Sequence, residues 1–404
     1  MAGKASRERR DRPGRASKSS LRRVCFVTTV PSTLEAFFME VAGVLHDEGG
    51  CDVVVVCDES AEFAATIPDY VRYVGIPMRR GLRLSGLRAL YRLVRLFRNE
   101  RFCLVQYATP NASLYASIAG WVNRVPVRLY CQCGIRYVSE TGLLRILLRS
   151  LEWLTCRLST HVRVASEGNR AVGLEDHLYP PQKSYVLGKG GTVGVDLTEY
   201  PLEAKGQYRV DVRGPMNLAD RFVFGFVGRI SRDKGAFELF RAFRRLSETS
   251  GAVLLCVGED ETGARQTDDS HTWARSSDAV VFTGQVPKAD MPKYYAAIDC
   301  LVVPTYREGF GMVIQEAAAM AVPIITTDVP GASEVMEPGE SCILVPAADD
   351  AALEEAMRLI MASQELRSSL GAAARTRVEL YFERSSMLTR QYDDYRRLFR
   401  ECRS

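Results

Sequence analysis

At 404 residues the chain is long enough for two domains, and 47% hydrophobic with 25% charged residues is typical of a soluble globular protein. The net charge of +4 is uneven, because residues 1–23 carry nine Lys or Arg against Glu8 and Asp11, a net of +7. No apolar run approaches the roughly 20 residues that span a bilayer, and the basic leader lacks the hydrophobic region of a secretory signal, which excludes both assignments.

The leader at residues 1–21 is predicted to be disordered, with its charge either incidental or used as a membrane tether or a nucleic-acid arm. For the chain as a whole we expect no nucleic-acid partner. The eleven cysteines are scattered and contain no Cys-x-x-Cys, which favours free thiols in a reducing compartment over disulfides or zinc. We therefore expect a cytoplasmic protein.

Short apolar strands alternate with helical stretches along both halves of the chain. In the first half the predicted strands are 24–27, 53–56, 103–107, 127–130, 162–165 and 185–187, with a helix near 33–48. A polar stretch at 197–220 precedes the second set, which is 222–227, 253–257, 280–282, 300–303 and 324–326. This pattern predicts an α/β protein with two doubly wound, Rossmann-like domains facing a cleft.

We place the domain boundaries at 22–200 and 201–382. A last helical stretch at 383–404 carries apolar residues at helical spacing and is predicted to pack back on the first domain.

The first chemical motif is a basic turn between a strand and a helix. The strand ends at Gly228, the helix begins near Gly235, and Arg229 and Lys234 bracket the turn. A guanidinium fork and a compact ammonium suit a pyrophosphate, although a surface turn with solvated charges has the same pattern. The turn lacks Gly-x-Gly-x-x-Gly and is therefore not a dinucleotide fingerprint.

The second motif follows the predicted strand at 300–303. Glu308 lies in a loop where Gly309 and Gly311 allow close backbone approach, and a helix starting near Gly311 presents unpaired N–H groups suited to phosphate. Glu316 falls one turn into that helix, where a carboxylate can accept hydrogen bonds from a ribose diol. Two carboxylates are also compatible with glycoside hydrolysis or with simple capping and solvation.

Together these motifs resemble retaining glycosyltransferase family 4. The features that carry the resemblance are the Gly-Arg-x-x-x-x-Lys-Gly turn, the Glu308/Glu316 pair, and the segments at 321–328 and 329–335. The resemblance covers about residues 22–400, is strongest over 222–346, and implies the GT-B fold. It also implies that the second domain holds a nucleotide-sugar donor and that the first holds a glycan or lipid-linked acceptor.

The resemblance implies roles for single residues. Catalysis would rest on Arg229, Lys234 and Glu308; donor contacts would come from Gly228, Thr283, Gly284, Gly309, Phe310, Gly311, Met312 and Glu316. Within these sets Arg229 and Lys234 hold the diphosphate, Glu316 holds the ribose, and the base lies beside segment 282–285. The family also implies retention of configuration by front-face attack without a protein nucleophile.

The first domain departs from the family pattern. The acceptor-side or sugar-facing residues are predicted to be Thr29, Cys133, Gly134 and Arg136, with Cys133 where many members have histidine. This motivates one alternative from another class, a catalytically silent carbohydrate-binding or scaffold subunit. A two-domain sugar-nucleotide epimerase or a phosphorylase is the alternative among enzymes, although no pyridoxal-binding lysine can be identified.

We predict neither a metal nor a cofactor, since Asp-x-Asp is absent and the four histidines show no metal spacing. The donor is predicted to be a UDP-hexose or UDP-N-acetylhexosamine used in polysaccharide biosynthesis, on family frequency.

A basic helix at 83–101 has two interpretations. Arg88, Arg92 and Arg95 share one face, which is either simply solvated or forms a peripheral contact with anionic membrane. The stretch at 143–157, with Arg145 and Arg149 among leucines, supports the second interpretation.

Overall fold

The computed structural model describes residues 22–78, 85–262 and 268–402. The basic leader at 1–21 and the start of the predicted basic helix, including Arg83, therefore lie outside the described residues. In the described ranges the chain forms two parallel sheets, one from each half of the sequence.

The first sheet has the strand order β3-β2-β1-β4-β5-β6-β7. Its strands are β1 Arg22–Val27, β2 Cys51–Cys57, β3 Val71–Gly75, β4 Leu104–Tyr107, β5 Val127–Gln132, β6 His161–Val164 and β7 Ser184–Val186. The central strands are buried on both faces, as expected for valine-rich runs in a parallel sheet covered by helices. The order reverses between β1 and β4, and ligands bind beyond the carboxyl ends of strands at such a reversal.

The second sheet repeats this plan with the order β10-β9-β8-β11-β12-β13. Its strands are β8 Val223–Val227, β9 Val253–Val257, β10 Val280–Gly284, β11 Cys300–Val303, β12 Ile324–Thr327 and β13 Ile343–Val345. The reversal lies between β8 and β11, so the basic turn after β8 and the Glu308 loop after β11 emerge side by side.

Helices cover both sheets. Around the first sheet lie α1 Pro31–Phe37, α2 Met39–Asp47, α3 Ala61–Thr66, α4 Ser85–Glu100, α5 Pro110–Val122, α6 Gly142–Leu158 and α7 Glu167–Glu175. The remaining helices are α8 Lys205–Arg213, α9 Ala236–Ser247, α10 Asp269–Ser276, α11 Met291–Ala297, α12 Met312–Ala319, α13 Asp350–Ala362, α14 Gln364–Tyr381 and α15 Arg384–Glu401.

Two predicted segments differ from the structure. The single helix expected near 33–48 is divided at Phe38, whose ring stacks on Phe26 of β1 at 5.4 Å between centroids. The polar stretch at 197–220 contains α8, because Arg213 is buried and donates to Asp299 at 2.6 Å. Tertiary contacts of this kind stabilise a helix in a segment for which the sequence indicated only a polar stretch between the two sets of strands.

The last helix, α15, returns to the first sheet. Tyr395, Leu398 and Phe399 are buried there, each worth about 1.5–3 kcal/mol of apolar burial. Asp394 accepts a hydrogen bond from the Tyr185 hydroxyl at 2.7 Å and lies 3.5 Å from the buried Arg163 guanidinium. The end of the chain therefore ties the second half of the sequence to the first sheet.

Candidate active site

Two loops from different sheets meet in the cleft. The Cys133-Gly134 loop follows β5, and the Glu308-Gly309 loop follows β11. A side chain at Gly309 would overlap the Cys133 carbonyl oxygen, and one at Gly134 would come within 3.4 Å of the Gly309 Cα. Glycine is therefore needed at 309 for the close approach of two backbones.

Two polar side chains outside the predicted site residues hold this junction. The Asn169 side-chain amide donates to the Glu308 carbonyl oxygen at 3.0 Å. The Glu334 carboxylate accepts from the backbone N–H groups of Gly168 and Gly331, each at 3.0 Å. Glu334 lies in the family-like segment at 329–335, whereas Asn169 carries no local signal because its partner is 139 residues away.

The basic turn has the form that its sequence predicted. Gly228 follows β8 with φ 133°, residues 232–234 form one 3₁₀ turn, and α9 begins at Ala236 after Gly235 with φ 72°. The positive φ values explain glycine at both positions. The turn thus presents Arg229 and Lys234 at the carboxyl end of β8.

Carboxylates hold both cations of this turn. The Lys234 ammonium is 2.7 Å from a Glu308 carboxylate oxygen, which brings two of the three predicted catalytic residues into direct contact. The Arg229 guanidinium is 2.6 Å from Glu261 and 3.4 Å from Asp233. Burial opposes ionisation of Asp233, but the Ser231 hydroxyl and the neighbouring cations, Arg229 first among them, together lower its pKa below the usual value.

The loop from Glu308 to Met312 leads into α12. Gly311 is its N-cap in the left-handed region, with φ 31°. Gly311, Met312 and Val313 line a cavity together with Lys234 and Glu308, so the N-terminus of α12, with its unpaired N–H groups, lies at the cleft. The Phe310 side chain is buried against Phe382, with 5.3 Å between ring centroids. Only the backbone of Phe310 is therefore available as the donor contact predicted for that position.

Glu316 lies one turn into α12, and Tyr295 from α11 donates to its carboxylate at 2.7 Å. Burial raises the pKa of Glu316 although the Tyr295 hydrogen bond opposes this. The tyrosine orients the carboxylate, which is consistent with a fixed acceptor of hydrogen bonds.

The predicted base-binding segment lies at the neighbouring strand ends. Gly284 ends β10 with φ 69°, and its carbonyl oxygen accepts from the Gly258 N–H at 2.9 Å. The Thr283 hydroxyl donates to the Gly284 carbonyl oxygen at 2.9 Å. A side chain at Gly258 would overlap the Gly228 carbonyl oxygen, so strand ends β8, β9 and β10 converge at this point.

On the first domain, Thr29 contacts Thr109 through a 2.7 Å hydrogen bond between their hydroxyl groups. Thr109 has φ 70°, a conformation that β-branched residues rarely adopt and that costs of order 1–3 kcal/mol. The residues around Thr109 in the sequence do not indicate this backbone strain. Both threonines line the cleft opposite Arg229.

Cys133 is exposed to the cleft and is not poised as a nucleophile. Protein atoms around the thiol disfavour its charged form and raise its pKa, so the thiol stays protonated near neutral pH. Arg136 follows in the same loop, exposed and 4.0 Å from Glu140.

A chamber of about 540 Å³ extends from this junction into the first domain. Lys234 and Glu308 are among its lining residues, and Leu144, Leu148 and Leu151 of α6 contribute an apolar part of the wall. Its polar lining includes Glu152, whose carboxylate accepts from Tyr130 at 2.8 Å and Gln132 at 2.6 Å, and burial raises the pKa of Glu152.

Comparison with known proteins agrees with this architecture. Residues 213–377 match the family described as Glycosyl transferases group 1. The chain is 31% identical over 309 residues to the capsular polysaccharide biosynthesis glycosyltransferase CapM of Staphylococcus aureus, covering 76% of this chain and 80% of CapM. The chain therefore belongs to the group 1 glycosyltransferases, which confirms the predicted family.

Solved structures show the fold. Anabaena HepE in complex with UDP and glucose superposes with a TM-score of 0.77 at 18% identity, covering 93% of this chain and 99% of HepE. Sucrose-phosphate synthase from Thermosynechococcus elongatus gives 0.75 at 22% identity, covering 94% and 99%. The prediction of a GT-B fold with two Rossmann-like domains is confirmed.

Proposed function

We propose that the protein is a retaining, metal-independent glycosyltransferase that moves a hexose or N-acetylhexosamine from a UDP-sugar to a glycan or lipid-linked acceptor. The observation that carries this proposal is the Lys234–Glu308 contact, beside Arg229 and the N-terminus of α12. A role in polysaccharide biosynthesis is supported by the likeness to CapM. UDP as the nucleotide is supported by the neighbouring structures with UDP or UDP-glucose.

The two domains on either side of the cleft would bind different substrates. The second domain, about 201–382, would hold the nucleotide through Thr283, Gly284 and Glu316. The first domain, about 22–200, would hold the acceptor in the 540 Å³ chamber, which Gly134 and Arg136 line, with Thr29 in the outer part of the cleft.

The chemistry that these groups supply is stabilisation of the leaving group. The bond from the anomeric carbon to the UDP oxygen breaks, and its electron pair adds negative charge to the diphosphate. Lys234, Arg229 and the α12 N–H groups oppose that charge where water is partly excluded. The acceptor hydroxyl attacks the same face, and its proton passes to the departing phosphate oxygen. No protein nucleophile takes part.

Metal independence follows because two side-chain cations already face the diphosphate. We expect turnover of UDP-sugar to stay within a few-fold of its starting rate in excess EDTA, measured as UDP release. Added manganese or magnesium should change that rate little. Complete loss with recovery on adding either metal would contradict this assignment of the leaving-group charge.

We also propose that the protein binds the inner face of a membrane peripherally, with α6 as the principal contact. Leu143 and Ile146 of α6 are 85% and 62% exposed, and Arg145 and Arg149 lie among them. Such a helix suits the interface of an anionic bilayer. Among the described residues, every helix is too short or too polar to cross a membrane. The helix α4 adds Arg88 and Arg95, both exposed.

Replacing Ile146 by glutamate should reduce flotation with vesicles that contain anionic lipid, because it places a charge where the helix meets the hydrocarbon boundary. The matched control is Val210→Glu, since Val210 of α8 is 64% exposed but lies on the second domain. Binding should weaken at high salt. Equal flotation of the wild type with neutral vesicles at high salt would contradict an electrostatic contribution.

A further inference from the structure

The outer part of the interdomain cleft is a cavity of about 1,280 Å³ with an excess of positive charge. Among its described lining residues the cations are Arg136, Arg229, Arg232 and Arg307, and the carboxylates are Glu140 and Asp233, a net of +2. The cleft mouth therefore favours an anionic ligand.

Two of these arginines, Arg136 and Arg232, are not neutralised by a close carboxylate. Arg136 is 4.0 Å from Glu140 and half-exposed, so that contact is weak. Within the described ranges no carboxylate lies within 4.0 Å of Arg232, which is exposed and sits 4.9 Å above the Phe237 ring. Both guanidinium groups are available to bind a ligand.

Arg307 occupies the inner edge of the same cavity. Its guanidinium is 3.3 Å from the Asp233 oxygen that lies 3.4 Å from Arg229. One carboxylate oxygen is thus shared by two arginines, while a second Asp233 oxygen accepts from Ser231 at 2.6 Å. Because Arg229 also has Glu261 at 2.6 Å, Asp233 and Glu261 together balance Arg229 and Arg307. The unbalanced positive charge of the cavity therefore belongs to Arg136 and Arg232.

Arg136 and Arg232 are distinct from the two residues, Arg229 and Lys234, that are predicted to hold the donor diphosphate, although Arg229 also lines this cavity. Lys234 is absent from the described lining of the outer cavity and lies instead beside Glu308. Arg229 is directed partly away from the cluster by Glu261, at 2.6 Å. Arg136 and Arg232 line the cavity from different domains, Arg136 after β5 and Arg232 after β8.

The cluster also adjoins an apolar wall. Arg136 lines both the outer cavity and the 540 Å³ chamber, whose wall includes Leu144, Leu147 and Leu148 of α6. An anion bound at Arg136 would thus have a hydrocarbon-lined surface directly beside it. That combination matches a diphosphate joined to a long hydrocarbon chain.

We infer that Arg136 and Arg232, with Arg307 behind them, form a second anion site that holds the diphosphate of a lipid-diphosphate-linked acceptor, its chain leaving over α6. This inference rests on the proposed function and adds the chemical class of the acceptor. Planar guanidinium forks bind phosphate oxygens in pairs, and such charge-assisted contacts are roughly twice as strong as neutral ones.

Farnesyl diphosphate is the probe, titrated calorimetrically against the full chain with saturating UDP so that the donor clamp is occupied. We expect it to bind more tightly than inorganic pyrophosphate, which lacks the hydrocarbon chain, and more tightly than farnesol, which lacks the diphosphate. Arg136→Ala and Arg232→Ala should each weaken its binding about tenfold. Arg396→Ala is the control, because Arg396 is exposed and paired with Asp393 on α15.

The affinity for UDP, measured alone, separates this inference from the proposed function. Unchanged farnesyl diphosphate affinity in both variants, with normal UDP binding, would overturn the second anion site only. Pyrophosphate binding as tightly as farnesyl diphosphate would overturn the lipid-linked class. If UDP fails to bind, the proposed function fails, and the same titration without UDP still decides whether Arg136 and Arg232 bind a diphosphate.

Discussion

Lys234→Ala is expected to lower the turnover of UDP-sugar by about 100-fold or more while the fold stays intact, as for other lost transition-state donors. The ammonium lies 2.7 Å from Glu308 at the junction of the two domains, where a departing diphosphate gains charge. Arg229→Ala should have a comparable effect. The measurement is kcat for UDP release, with circular dichroism to confirm folding.

The control for this experiment is Lys293→Ala. Lys293 makes a surface salt bridge to Asp290 at 2.9 Å in the same domain. The Lys293→Ala variant therefore removes a paired lysine but leaves the diphosphate-binding residues Arg229 and Lys234 in place. Glu316→Gln provides the contrast, since a ribose contact exists in both ground and transition states and should raise the donor KM more than it lowers kcat. Abolished kcat in Glu316→Gln with near-normal Lys234→Ala would favour carboxylate-driven hydrolysis instead.

Gly309→Ala is expected to reduce turnover by a similar factor for a steric reason. The added methyl group would overlap the Cys133 carbonyl oxygen, so the Glu308 loop or the Cys133 loop must move. A displacement of about 1 Å among catalytic groups lowers the reaction rate on the order of 100-fold. The measurement is kcat together with the melting temperature.

Gly206→Ala is the matched control, because a methyl group at this position of α8 meets no atom within 4 Å. It should leave both activity and stability near the wild type or raise stability slightly. Near-normal activity of Gly309→Ala would show that the junction between the two loops is looser than the structure indicates.

The sequence predicted the parts of this molecule that depend on local pattern. The valine-rich strands, the turn at 228–235 and the start of α12 near Gly311 are all set by alternation, glycine and buried hydrophobic runs. The resemblance placed Lys234 and Glu308 at the same donor site, but it did not predict their direct contact, which joins residues 74 positions apart. The individual roles of the predicted site residues stay predictions.

The features that sequence reasoning missed are long-range. Asn169 holds the Glu308 loop from another domain, and the strained φ of Thr109 arises where α5 begins against Thr29. The pattern of neighbouring residues in the sequence does not indicate contacts between residues so far apart in the chain. The sequence pointed to the basic segment of α4 as the main membrane contact. The structure favours α6 instead, because it shows that leucines of α6 such as Leu143 are exposed.

The stereochemistry of transfer tests the central claim most directly. UDP-glucose and UDP-N-acetylglucosamine should each be offered with a lipid-diphosphate-linked monosaccharide, and the anomeric proton coupling of the product measured by NMR. The account predicts an α-linked product from the α-configured donor, formed in excess EDTA at a rate within a few-fold of that without it. A β-linked product would contradict the retaining mechanism, and with it the assignment of Arg229 and Lys234 to same-face departure of UDP.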